Sequence, residues 1–236
     1  MREHLESTRQ HTLDNPVWAA LSGPHRRVAE IHRQAARYQP EVAPFVAMAD
    51  DADETAWTDL AKLAGPGVRL RVTMGGGVPI PAGWRVQAQI AGVQLVDVGL
   101  EAVPDEEAQV LGPADVPEML ALVERTKPGP FRQRTIELGT YLGIRRDGAL
   151  VAMAGERVHP PGWTEISAVC TDDAYRGQGL ASRLIRAVAA GIRERGDVPF
   201  LHASAENTTA IRLYEALGFE LRREVTFEAI EVPAQP

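Results

Sequence analysis

Two glycines one residue apart, Gly177 and Gly179 in the run Arg176-Gly177-Gln178-Gly179-Leu180-Ala181-Ser182, stand directly before a long amphipathic stretch. Glycine leaves room for a ligand and admits positive φ, so the backbone N–H groups from Gly177 to Ser182 can converge on one point. The first N–H groups of a helix have no intrahelical partner, and the helix dipole adds partial positive charge there. That chemistry suits a phosphate or pyrophosphate, and Arg176 and Arg183 would add charge. The two best-known phosphate loops do not fit. The chain has no GxxxxGK(S/T), and Ser182 occupies the third glycine position of a dinucleotide fingerprint, with five residues between the preceding strand and Gly177. A Gly-x-Gly before a helix also occurs as a plain turn, so its surroundings decide.

Those surroundings are ordered. Glu165 to Thr171 has the length and β-branched content of a strand. The helix after the turn closes on Arg193, Arg195 and Gly196, a cationic last turn with a C′ glycine. Val198 to Ser204 reads as a buried strand. Asn207 then caps a second helix whose apolar stripe is Ala210, Leu213, Tyr214 and Leu217, stopped by Gly218. Upstream, Val110-Leu111 precedes a helix within Gly112 to Thr126, and strands at Tyr141–Ile144 and Ala149–Val158 flank an Arg146-Asp147-Gly148 turn.

Arg176-Gly177-Gln178-Gly179-Leu180-Ala181, followed by Ala-x-Asn-x-x-Ala-Ile-x-Leu-Tyr-Glu-x-Leu-Gly-Phe over Ala205 to Phe219, resembles the GNAT superfamily of acetyl-CoA-dependent N-acetyltransferases. The close resemblance covers Glu165 to Phe219 and a looser one reaches back to Gln109. It implies the GNAT fold, an α/β (α+β) arrangement with a mixed, mostly antiparallel sheet flanked by helices. It implies acetyl-CoA as cosubstrate and a primary amine of a small molecule or peptide as acceptor, attacked directly in a ternary complex. By the same resemblance the backbone of Val169, Cys170 and Thr171 pairs with the pantetheine arm, Arg176 to Ser182 hold the pyrophosphate, Asn207 contacts the cofactor, and Tyr214 protonates the departing thiolate. Helical spacing alone would make Tyr214 a core residue packed between Ala210 and Leu217.

Acetyl transfer also needs the amine as a free base. Two residues on neighbouring strands are candidates, Glu165 and His202. An ordinary histidine titrates near 6.5 and is already a free base at neutral pH, whereas a carboxylate near 4.3 needs desolvation to serve. His202 is therefore the first choice, either residue acting directly or through a water. Cys170 has no histidine beside it in sequence, and a buried strand thiol is usually inert, which disfavours an acetyl-enzyme. The other histidines, at positions 4, 11, 25, 32 and 159, have no metal-ligand spacing, so no metal is expected.

Residues 1–104 contain strand-like runs at Arg69–Thr73 and Trp84–Val98 and amphipathic segments near Val28–Tyr38 and Thr55–Leu63. They read as a smaller N-terminal α/β domain, similar to the degenerate acetyltransferase-like domain of some GNAT proteins. The linker-like Glu101-Ala102-Val103-Pro104-Asp105 places the boundary with a catalytic domain at 105–236. The first part lacks a second cofactor turn and is expected to shape the acceptor pocket together with the loop Lys127–Ile136. Gly75–Gly77 is followed by Pro-Ile-Pro rather than a helix and reads as a loop.

Acidic residues outnumber basic ones 12 to 10 over residues 1–104 and 20 to 15 over 105–236, which excludes a nucleic-acid binder by bulk charge. One cysteine excludes an internal disulfide framework, and charges interrupt every apolar run that would span a membrane or act as a signal peptide. The expected compartment is the cytoplasm. Two lysines beside 23 arginines suggest a GC-rich bacterial source. The oligomeric state is not encoded in any motif, and a homodimer is compatible with the chain. Two other classes remain: an acyl-CoA sensor that transfers nothing, and a nucleotide or NAD enzyme using Asp197 as ribose ligand.

Overall fold

The structure is a computed structural model that describes residues 12–74 and 79–234. The expected Gly75–Gly77 loop and His4 and His11 lie outside these residues. In chain order the elements are α1 (Pro16–Ser22), β1 (Ala29–His32), β2 (Ala35–Tyr38), β3 (Val46–Met48), α2 (Ala56–Ala64), β4 (Arg69–Met74) and β5 (Arg85–Asp97). After them come β6 (Gln109–Val110), α3 (Val116–Thr126), β7 (Tyr141–Arg146), β8 (Ala149–Glu156) and β9 (Trp163–Thr171). The chain closes with α4 (Leu180–Glu194), β10 (Val198–Ser204), α5 (Thr208–Leu217) and β11 (Phe219–Glu231). Short 3₁₀ turns fill several connections.

Eight strands form one sheet in the order β4-β11-β5-β10-β9-β8-β7-β6. The β9–β10 pair is parallel and all other neighbours are antiparallel. Alternating strand residues feed opposite layers. On one face Leu95, Ile144, Ala152, Ile166 and Leu201 bury against Leu184, Ile185, Val188 and Ile192 of α4 and Tyr214 and Leu217 of α5. On the other, Met119 and Leu122 of α3 cover Tyr141, Leu150 and Met153. Beside them Trp163 and Phe200 pack against Leu13, Leu21, Tyr38 and Val42 from the start of the chain.

The turns follow their residues. Asp147 and Gly148 take φ of 50° and 81° between β7 and β8, the positive-φ pair that matches strand twist in a tight hairpin. Gly218 ends α5 at φ 103°, and a Cβ there would meet the Gly99 carbonyl carbon at 2.6 Å, so both conformation and space require glycine.

The first hundred residues divide differently from a self-contained domain. β1, β2 and β3 form a separate three-stranded antiparallel sheet, so the amphipathic Val28–Tyr38 segment is mostly a hairpin, turning at Arg33 with φ 50°. The segment from Thr55 does form a helix, α2, which buries Trp57 and Leu60. β4 and β5, however, belong to the large sheet. β5 lies between β10 and β11 and is hydrogen-bonded to both, from His202↔Gln94 on one side to Phe227↔Ile90 on the other. A cut at residue 104 would remove a central strand of the sheet. The 98–108 connection is not a slack linker either, because Leu100 is buried in the core and Asp105 binds Arg183 on α4 at 2.6 Å.

Candidate active site

The anion turn forms as its glycines require. Gly177 and Gly179 have φ of 77° and 73°, and Gly179 is the left-handed cap from which α4 begins. A Cβ added at either would meet nothing within 4 Å, so the space in front of the turn is open. Gln178 and Gly179 are exposed, and Leu180 anchors the first helical turn in the core. The two arginines expected to add charge are engaged within the chain. Arg176 lies 2.7 Å from Asp173, while Arg183 is bound by Asp105 at 2.6 Å and Glu107 at 2.6 Å. The carboxylate hydrogen bonds hold Arg183 firmly cationic. Of the groups expected to meet an anion, the turn's backbone is left, since both arginines are paired with carboxylates.

β9 and β10 run parallel from Val198↔Trp163 to Phe200↔Glu165, and their pairing ends there. Beyond it, Ile166–Thr171 of β9 and Leu201–Ser204 of β10 have no mutual ladder. On its other edge β9 carries a bulge: the pairing steps from Gly155↔Ser167 to Met153↔Cys170, three residues against two, and Ala168 sits at φ 53°. A non-glycine residue in the left-handed region is a local strain, and a bulge turns the backbone beyond it. The edge of Val169, Cys170 and Thr171 facing the gap is therefore available to a ligand that pairs as a strand does. From this end of β9 the chain runs through the 3₁₀ turn Asp173–Tyr175 directly into the Gly177–Gly179 turn and α4. The Cys170 thiol is buried, and burial outweighs its hydrogen bonds to hold its pKa up at about 11, far from a thiolate nucleophile.

α5 starts where β10 ends. The Asn207 side chain accepts a hydrogen bond from the Ala210 N–H at 3.1 Å, which satisfies one of the helix's first donors. Two turns on, Tyr214 is buried with its ring edge-on to Phe219, and burial raises its phenol to about 12. It is fully protonated at neutral pH.

Glu165 and His202 are brought together, on the face opposite α4. His202 Nδ1 lies 2.8 Å from Glu165 Oε1, and the side chains are 7% and 1% exposed. Arg157 grips the same carboxylate, Nη2 to Oε1 at 2.7 Å and Nε to Oε2 at 2.9 Å. Burial pushes the Glu165 carboxyl up, but the Arg157 charge and hydrogen bonds, with His202 in addition, bring it down to about 2. Glu165 is thus a permanent carboxylate with both oxygens occupied. The far nitrogen of the imidazole, Nε2, lies 3.0 Å from Nε2 of Gln94 on β5. Phe200 and Phe227 stand edge-on to the imidazole at 5.6 and 5.8 Å.

Arg157 and Gln94 are absent from the expected site. Arg157 follows β8 and lies over the Phe45 ring at 4.9 Å, a buried cation held by Glu165 on one side and an aromatic face on the other. The visible signals were a charged Glu156-Arg157 pair ending an apolar run, and a single glutamine in Val-Gln-Leu-Val. Neither indicates a partner without the fold. Asp197, the alternative ribose ligand, accepts from Thr164 Oγ1 at 2.8 Å. It lies past the C-terminal end of α4, ~22 Å along the helix from the turn at 1.5 Å per residue, so it is not placed to act with it.

A crystal structure described as a GNAT-family acetyltransferase from Novosphingobium aromaticivorans is 41% identical, covers 94% of this chain and 99% of its own, and superposes with a TM-score of 0.86. The chain belongs to the GNAT family of acetyltransferases. A family profile described as FR47-like protein matches residues 141–227 of this GNAT protein, a span containing the bulged strand, the glycine turn, His202 and Tyr214. Mycothiol acetyltransferase from Brachybacterium faecium is 30% identical over 169 residues, 69% of this chain and 51% of that protein. N-alpha-acetyltransferase RimI from Mycobacterium tuberculosis is 36% identical over 83 residues, 34% of this chain and 51% of its own. The chain spans about half the length of these curated relatives. GNAT proteins are acyltransferases, of a family that uses acetyl-CoA as donor. Among the described residues there is no helix long and apolar enough to cross a membrane and no cluster of metal-ligating side chains.

Proposed function

We propose that this protein transfers the acetyl group of acetyl-CoA to a primary amine of a small molecule or peptide, by direct attack in a ternary complex. The observation that carries this reading is the unpaired gap between β9 and β10, at the end of β9 from which the chain runs into the N-terminus of α4. A cofactor with a pyrophosphate and an amide-bearing arm matches both halves of that site. The pyrophosphate would take the N–H groups of Gly177 to Ser182, and the arm would pair with Val169, Cys170 and Thr171. Asn207, at the head of α5, would border the arm.

In the reaction the amine nitrogen bonds to the thioester carbon, the C–S bond breaks, one proton leaves the amine and the thiolate departs. Free N–H groups on the β9 edge are suited to the carbonyl oxygen as it becomes anionic. His202 is the proton acceptor in this reading. Glu165 orients it, since a buried carboxylate held near 2 with both oxygens filled is a poor base at neutral pH. Tyr214 is a weaker acid than an ordinary thiol near 8.5. It therefore serves the departing thiolate chiefly as a hydrogen-bond donor, and the thiol's proton can come from solvent. Tyr214→Phe keeps the packing and removes that donor. A hydrogen bond to a charged group contributes about 1.5–3 kcal/mol, so kcat is expected to fall roughly 10–10²-fold while acetyl-CoA affinity holds, as steady-state kinetics and a binding titration would show.

Calorimetric titration with acetyl-CoA and with NAD tests the donor assignment. One acetyl-CoA per chain and no NAD binding is the expected result; NAD binding of equal strength would favour a nucleotide enzyme. Acetyl-CoA binding with no transfer to any amine would leave a sensor.

A further inference from the structure

The Gln94 amide lies between three fixed partners, and its orientation follows from them. Its Oε1 is 2.7 Å from Arg222 Nη1, which can only donate. Its Nε2 is 3.0 Å from the Leu13 carbonyl oxygen, which can only accept. The NH₂ end is therefore the end that faces His202, and at 3.0 Å it donates to the imidazole Nε2. Nε2 must then be the bare, accepting nitrogen. On the other side of the ring the Glu165 carboxylate can only accept, so Nδ1 must carry the proton.

We propose that Gln94 is a positioning residue that locks His202 into its Nδ1–H tautomer and holds Nε2 as a neutral hydrogen-bond acceptor. The two neighbours act differently. Glu165 stabilises a proton on Nδ1 whether or not the ring is charged, whereas a second proton, on Nε2, would point at the Gln94 NH₂ and forfeit its hydrogen bond. Gln94 therefore opposes the imidazolium that Glu165 alone would favour. Each element packed on the ring agrees with this. β9 brings Glu165, backed by Arg157, and β5 brings Gln94. β10 brings the Phe200 ring and β11 the Phe227 ring, and β11 also carries Arg222, which donates to Gln94 rather than to the imidazole. The charges behind Gln94 are those of Arg222 and Arg223 with Asp14, at 2.6 and 2.7 Å. The role depends on the reading of His202 as the base. In that reaction the acceptor amine, directly or through a water, takes the place at Nε2 that the Gln94 N–H occupies at rest. The N-terminal half thus supplies a part of the site, through β5.

Nitrogen-15 NMR of the imidazole measures this without turnover, so its outcome is separate from that of the His202→Ala kinetics that test the base itself. In the wild-type full chain the His202 signals should show a protonated Nδ1 and a bare Nε2 at neutral pH. Gln94→Met, which fills the space without a donor, should move the pH at which Nε2 gains its proton upward by about one unit, the shift equivalent to one net hydrogen bond. Gln94→Glu should leave both nitrogens protonated at pH 7, its carboxylate accepting from Nε2 and from Arg222 while losing the contact with the Leu13 carbonyl. A wild-type spectrum with the proton on Nε2, or a Gln94→Met titration that coincides with wild type, would overturn the proposal.

Discussion

Gly179→Glu is expected to weaken acetyl-CoA binding by about 10²-fold or more without unfolding the protein. No atom lies within 4 Å of a Cβ built at Gly179, so the new side chain has room in the free protein. Its carboxylate, however, would occupy the place of the pyrophosphate and repel it. Loss of two charge-assisted hydrogen bonds at about 1.5–3 kcal/mol each accounts for a change of that size. Part of any stability loss would come from the positive φ of 73°, which costs a non-glycine residue about 1 kcal/mol. Thermal denaturation separates that cost from the binding defect, and unchanged affinity in a folded variant would remove the turn from the cofactor site.

The fragment 105–236 is expected not to fold, although it contains every residue of the glycine turn, Tyr214, Glu165 and His202. Without β5, β10 and β11 lose the strand that joins them, and Val93, Leu95 and Leu100 leave the core beneath α4 and α5. Three buried aliphatic side chains at about 1.5–3 kcal/mol each already approach the whole stability of an ordinary domain. Circular dichroism against denaturant should show a cooperative transition for the full chain and none for the fragment. A cooperatively folded, active fragment would mean that the N-terminal strands are dispensable.

The glycine turn and the two helices after it were legible in the sequence because their signals are local. Gly177, Gly179, Asn207 and Gly218 each announce a backbone conformation at their own position, and the apolar spacing of α4 and α5 repeats within a few residues. The strand Glu165–Thr171 could be placed, but its bulge could not, since Ala168 carries no mark of positive φ. The partners of β5 were hidden for a different reason. The alternation in β5 says that a strand exists and which residues share a face, but nothing in it names β10 and β11, more than a hundred residues away, as its neighbours. Glu101 to Asp105 has the composition of a linker, yet Leu100 just before it and Asp105 at its end are anchored in the fold. Glu165 and His202 were expected on adjacent strands, and they meet there. What spacing could not supply was Arg157, whose grip on Glu165 makes that carboxylate a partner of the imidazole rather than a second base.

The most direct test is release of free thiol from acetyl-CoA by the full-length protein against a broad panel of primary amines and N-terminal peptides, with mass spectrometry of the acceptor. The expected result is amine-dependent thiol release matched one for one by an N-acetylated acceptor, and its loss by about 10²-fold or more in His202→Ala. Acetyl-CoA left intact across the panel, or transfer undiminished in His202→Ala, would contradict the site described above.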